Sequence, residues 1–87
     1  MSITVKYVGL LAVHAKKAEE AIEFYGKTLK DLFNVLSEKQ DAVFHEELIS
    51  NSGELKITVL VNSDAATLET VLKDGDYLVF LQSVYGG

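Results

Sequence analysis

A single capped helix, bracketed on both sides by strand-like runs, is what this sequence constrains most firmly. Thr28 stands where an N-cap belongs, and Asp31, three residues later, makes an Asp variant of the capping box. Leu29, Leu32, Phe33 and Leu36 then recur at helical spacing and give one apolar face. Lys39-Gln40-Asp41 marks the polar exit. Upstream, Ile3-Thr4-Val5-Lys6-Tyr7-Val8 alternates with period two, so Ile3, Val5 and Tyr7 face a core and Thr4, Lys6 and Val8 face outward. Downstream, Leu55 to Val61 is a strand between the turn residues Asn51-Ser52-Gly53 and Asn62-Ser63-Asp64. Asp74-Gly75-Asp76 is a further turn that leads into a last strand, Tyr77-Leu78-Val79-Phe80-Leu81.

Two stretches stay open at this level. Ala18, Ala21, Ile22 and Tyr25 fit a helical stripe, yet Ala21 to Tyr25 also fits a short strand ended by Gly26. Ala65 to Leu72 fits either one or two short helical turns or a loop. The order is then strand, strand, helix, strand, short helix or loop, strand. That order suggests an α+β domain with one main helix on a mixed sheet. A β-grasp has this layout: its first and last strands run side by side and parallel, and the C-terminal tail projects from a central strand. The expected division is a β-grasp domain over 1–81 and a flexible tail over 82–87.

The composition removes several functional classes. There is no cysteine, so a disulfide scaffold, a thiolate metal site and a cysteine nucleophile are all excluded. A small domain without disulfides fits a reducing compartment. All 8 basic residues are lysine, against 13 acidic residues, for a net charge of −5. That balance argues against nucleic acid and anionic membranes as partners and suits a basic docking surface; solubility alone also accounts for it. The segment Met1 to Lys6 has no signal-peptide pattern. Apolar runs fall far short of the roughly 20 residues that span a bilayer. A cytoplasmic location is expected.

The tail Val84-Tyr85-Gly86-Gly87 is where chemistry is expected, with a chance Gly-Gly as the alternative reading. An ordered glycine loses more backbone entropy than other residues, so a terminal Gly-Gly adds nothing to stability. It offers a thin thread able to carry a carboxylate through a narrow channel. Extended from Gln82 to Gly87, the thread reaches roughly 20 Å at about 3.3–3.6 Å per residue. A carboxylate is a poor acyl donor; adenylation makes a mixed anhydride that sulfur can attack. His14 and His45, with Glu46 or Glu47, show no metal-ligand spacing, and no Ser-His-Asp pattern or Gly-rich phosphate loop is present. No metal site is expected.

The run from Leu72 through Asp74-Gly75-Asp76 and Tyr77 to Leu81, a short spacer and Val84-Tyr85-Gly86-Gly87 resembles the C-terminal signature of the MoaD/ThiS family of ubiquitin-like sulfur carriers. Glu23 to Leu32 looks like that family's second strand and capped helix, and Val59-Leu60-Val61-Asn62 like its third strand. The chain departs from the pattern at Gln82-Ser83, where a proline pair is usual, so its tail exit lacks the stiffening of a fixed φ. The length is closer to the small subunit of molybdopterin synthase than to the thiamine carrier.

The resemblance implies a protein that is not an enzyme on its own. Gly87 would be adenylated by an E1-like enzyme that uses ATP, then converted to a thiocarboxylate by a sulfur donor. No cofactor would be bound. Gly86 would let the thread fit, and Val84 and Tyr85 would be gripped by partner channels. Outward-facing Val8, Leu60, Val79 and Leu81 would form an apolar docking patch for the large subunit of molybdopterin synthase, which takes the sulfur for a pterin precursor. A protein modifier that forms isopeptide bonds, and a sulfur carrier for transfer RNA or thiamine, share the same activation, as a passive ubiquitin-like interaction domain does not. Val8 to Leu29 is also superficially similar to the opening of a glyoxalase-type metal enzyme, although His14 is not at that family's usual early ligand position.

Overall fold

In the computed structural model the described residues are 1–39, 46, 48–50 and 52–82. Five strands form one sheet: β1 (Ser2–Val8), β2 (Glu19–Glu23), β3 (Ile57–Val61), β4 (Asp64–Ala65) and β5 (Tyr77–Gln82). Their order is β2-β1-β5-β3-β4. β1 and β5 run parallel at the centre, with Val5 beside Leu78 and Val8 beside Leu81. The β1–β2, β5–β3 and β3–β4 pairs are antiparallel. Helix α2 (Leu29–Lys39) supplies the apolar face that covers the sheet. This is the β-grasp that the order of elements predicts.

Strand parity sorts the residues as period two requires. Ile3, Val5 and Tyr7 of β1, Leu78 and Phe80 of β5, and Ile57 and Val59 of β3 are buried against Leu29, Leu32, Phe33 and Leu36 of α2. Phe80 is the hub: its ring meets Tyr7 edge-on at 5.7 Å and Phe33 at 5.4 Å. Each fully buried large apolar side chain contributes about 1.5–3 kcal/mol, and with no disulfide this core must carry the fold.

The helix begins as its sequence predicts. Thr28 Oγ1 accepts from the Asp31 N–H at 3.3 Å, while Asp31 Oδ2 accepts from the N–H groups of Thr28 at 3.0 Å and Lys27 at 2.9 Å. Those two backbone donors hold the Asp31 carboxyl below the ordinary carboxylate range. Gly26 is needed here, because a Cβ would sit 2.7 Å from both Asp31 Cβ and the Phe24 ring.

The ambiguous stretch is a strand, β2, because its Ile22 faces the core opposite Ile3 while Glu19, Ala21 and Glu23 face outward. Of the two forms left open for Ala65 to Leu72, the structure has the loop, with a single turn closed by Thr70 N–H donating to Thr67 O at 3.1 Å. After β4 it is a loop in which Thr67 N–H is satisfied by Thr70 Oγ1 at 2.9 Å. Its Thr70 and Leu68 carbonyls accept from Leu29 and Lys30 at the start of α2. An unforeseen helix, α1 (Leu10–Ala15), follows β1 and buries Leu11 and Ala15. The third strand begins at Ile57 rather than Leu55, which forms an isolated bridge with Ile49, and the last strand extends one residue to Gln82. The parallel β1–β5 pair is not the βαβββ module of a glyoxalase. Among the described residues no helix is long and apolar enough to cross a membrane.

Candidate functional site

The end of β5 and the outer face of the sheet form the candidate site. β5 is held in place at its other end. Ser2 N–H donates to Asp74 Oδ1 at 2.7 Å, and Gly75, at φ 85°, turns the chain so that its N–H reaches Ser2 O at 2.8 Å. Asp76 is 8% exposed and accepts from Lys73 N–H and from Asn62 Nδ2, both at 2.8 Å. Thr4 N–H donates to Asp76 O. The Asp-Gly-Asp turn thus fastens β5 to β1 and β3 and sets where the strand ends.

On the outer face Val8 lies beside Leu81, with Thr58 on its other side, and in the next row Val79 lies between Lys6 and Leu60. The four residues expected to form an apolar patch are therefore neighbours on one face, and each is half-buried. Tyr77 flanks them, and its hydroxyl donates to Glu19 Oε2 at 2.8 Å. That bond to a carboxylate stabilises the neutral phenol and raises its pKa. On the inner face the Tyr7 hydroxyl donates to Glu20 Oε1 at 2.6 Å. Burial first, then Glu20, pushes the Tyr7 pKa well up, so both phenols serve as neutral donors here.

The structure adds two residues that the sequence reading missed. Leu10 and Val13 of α1 are 62% and 69% exposed. Their i, i+3 spacing beside the buried pair Leu11 and Ala15 was the available signal. They lie on α1, which follows Val8 after Gly9. Val84, Tyr85, Gly86 and Gly87 lie outside the described residues, as do His45 and Glu47. His14 is half-exposed on α1, and Glu46 is exposed. Among the described residues no group of three His, Asp or Glu is placed to hold a metal ion.

One main helix, α2, gripped by a mixed sheet with an apolar outer face beside the end of the central strand, defines the class of ubiquitin-like carriers and modifiers. The sequence profile of the ThiS family matches residues 5–87, and the chain belongs to that family. Comparison with curated proteins gives no match. The fold is similar to that of small archaeal modifier protein 1 from Haloferax volcanii, with 28% identity, 100% of each chain covered and a TM-score of 0.81. It is equally similar to a protein assigned as molybdopterin converting factor subunit 1 from Pyrococcus furiosus, with 27% identity, 97% and 99% coverage and a TM-score of 0.81. A chain of the BexX/CysO complex from Amycolatopsis orientalis matches at 25% identity, 98% and 99% coverage and a TM-score of 0.73.

Proposed function

We propose that this chain is a sulfur carrier that acts as the small subunit of a molybdopterin synthase, with Gly87 as its working residue. The Gly87 carboxylate oxygen attacks the α-phosphate of ATP on an E1-like enzyme and releases pyrophosphate. Hydrosulfide supplied by the sulfur donor then attacks the acyl carbon, AMP leaves with the acyl C–O bond, and loss of the S–H proton leaves a thiocarboxylate. ATP belongs to the activating partner. Val84, Tyr85 and Gly86 thread into the partner channels, and Val8, Leu60, Val79 and Leu81 dock the large subunit, which delivers the sulfur to a pterin precursor.

The observation that carries this reading is the family match running through Gly87, in a chain of nearly the same length as the assigned molybdopterin converting factor subunit. The BexX/CysO likeness supports a role in complex with a partner protein. The modifier from Haloferax volcanii favours a second reading, in which the same activated carboxyl forms an isopeptide bond with lysines of other proteins.

Intact-mass measurement of the protein from its native host tests the first step. Exchange of one oxygen for sulfur adds about 16 Da. The large subunit with pterin precursor, and a lysine-bearing target, then separate the two acceptors: sulfur transferred to the pterin supports the synthase subunit, and a conjugate with loss of water supports the modifier.

A further inference from the structure

The chemistry proposed for the tail leaves the other side of the sheet unused. β2 is an edge strand with only β1 beside it in the sheet order. Tyr7 N–H donates to Ala18 O, and Phe24 N–H donates to Met1 O. In an antiparallel ladder these bonds fall on every second residue. The backbone groups of Ala18, Glu20, Ile22 and Phe24 therefore turn towards β1. Those of Glu19, Ala21 and Glu23 turn away from the sheet, and all three residues are exposed. Among the described residues none bonds to those outward groups. The opposite edge, β4, is only two residues long.

We infer that the β2 edge is a second docking site, which takes an extended basic segment of a partner protein as an added strand. Unpaired edge groups are a template for exactly matched backbone bonding only when the side chains also agree. From Glu19 to Tyr25 the chain has three carboxylates and no basic residue. Glu20 is largely buried and held by Tyr7 and Lys17. That leaves Glu19, bonded to the Tyr77 hydroxyl, and Glu23, 3.9 Å from the Met1 ammonium, to face an incoming cation. Glu19 and Glu23 share the outer face with Ala21 between them, so an incoming strand with Lys or Arg at alternate positions sets a cation beside each carboxylate. Tyr25, 86% exposed at the end of the strand, presents a ring face to a further cation. A second copy of this chain is the wrong occupant: antiparallel pairing about Ala21 would place Glu19 opposite Glu23 of the copy, and like charges directly opposed destabilise a sheet. The site stands independently of what the tail carries.

The test uses the whole chain, labelled with nitrogen-15, and a capped heptapeptide alternating Lys and Val. Its lysines line one face and its valines the other. The expected result is amide shift changes centred on Glu19, Ala21 and Glu23, with slowed exchange of those amides and weaker binding as ionic strength rises. Glu19→Lys with Glu23→Lys should weaken binding by at least about tenfold, given two opposite-charge pairs turned into repulsive ones. Two N-methylated peptides separate strand addition from mere attraction: methyl groups on the amides facing β2 should abolish binding, while methyl groups on the alternate amides should not. Equal binding of both, shifts spread over the acidic surface, or association of the protein with itself through β2 would each overturn the proposal.

Discussion

Asn62 and Asp76, fourteen residues apart, are joined by a hydrogen bond of 2.8 Å from Asn62 Nδ2 to Asp76 Oδ1. The same Asn62 side chain accepts from Tyr77 N–H at 2.9 Å through its Oδ1. Asn62 sits at φ 50°, a left-handed conformation that Asn tolerates better than most residues. One side chain thus closes the β3 turn and pins the first residue of β5. Asn62→Ala loses both bonds and keeps the unfavourable φ, so it should destabilise the fold by about 2 kcal/mol. Asn62→Gly relieves the backbone and should cost less. Urea unfolding of the three proteins checks this; equal midpoints for Ala and Gly would remove the conformational part of the argument.

The capping box gives a pH prediction with a definite sign. The N–H groups of Lys27 and Thr28 lower the folded-state pKa of Asp31 below its ordinary value of 3.8. Its contribution is present above that value and is lost as pH falls through the lowered one. Asp31→Asn should therefore be less stable than the parent at neutral pH, with the gap closing on acidification. Thr28→Ala, which removes the reciprocal cap, should cost about 1 kcal/mol. It also removes the weaker hydroxyl contribution to the lowered Asp31 pKa, so its pH dependence should be smaller. Thermal unfolding across the acid range distinguishes the two, and a gap for Asp31→Asn that stays constant to low pH would contradict the assignment.

These two clusters also show how much of the fold was legible in the sequence. Thr28 and Asp31 make bonds between neighbours in sequence, so spacing alone reveals them. Ile3, Val5 and Tyr7 obey strict alternation for the same reason. β2 obeyed two periods at once, and only its pairing with β1 decided between them. Leu10 to Val13 has no polar face, so α1 escaped notice: a six-residue helix is held by tertiary burial of Leu11 and Ala15 rather than by its own propensity. The stretch Ala65 to Leu72 stayed open between helix and loop because its carbonyls are committed to Leu29 and Lys30, residues a linear pattern cannot connect with it. Of the site, strand parity placed Val8, Leu60, Val79 and Leu81 on one face.

Leu81→Glu tests the docking face. Leu81 lies between Val8 and Thr58 on the outer sheet, half-buried, so the fold tolerates a charge there better than at Phe80. At a partner interface the same carboxylate would be desolvated without a counter-charge, at a cost of several kcal/mol. Binding to the large subunit should fall by far more than stability does. Unchanged affinity in a calorimetric titration would take Leu81 out of the patch.

The central claim rests on Gly87, and the most direct measurement is ATP-dependent formation of its acyl-adenylate by the cognate E1-like enzyme, followed by sulfur transfer. Deleting Gly87, or adding one residue after it, shifts the carboxylate by about 3.3–3.6 Å. A misplacement of about 1 Å at a reacting centre costs on the order of 100-fold. Both variants should retain the unfolding midpoint of the parent and lose adenylation and sulfur delivery. If either is adenylated and delivers sulfur at the parent rate, the Gly87 carboxylate is not the working group, and the proposed carrier function fails.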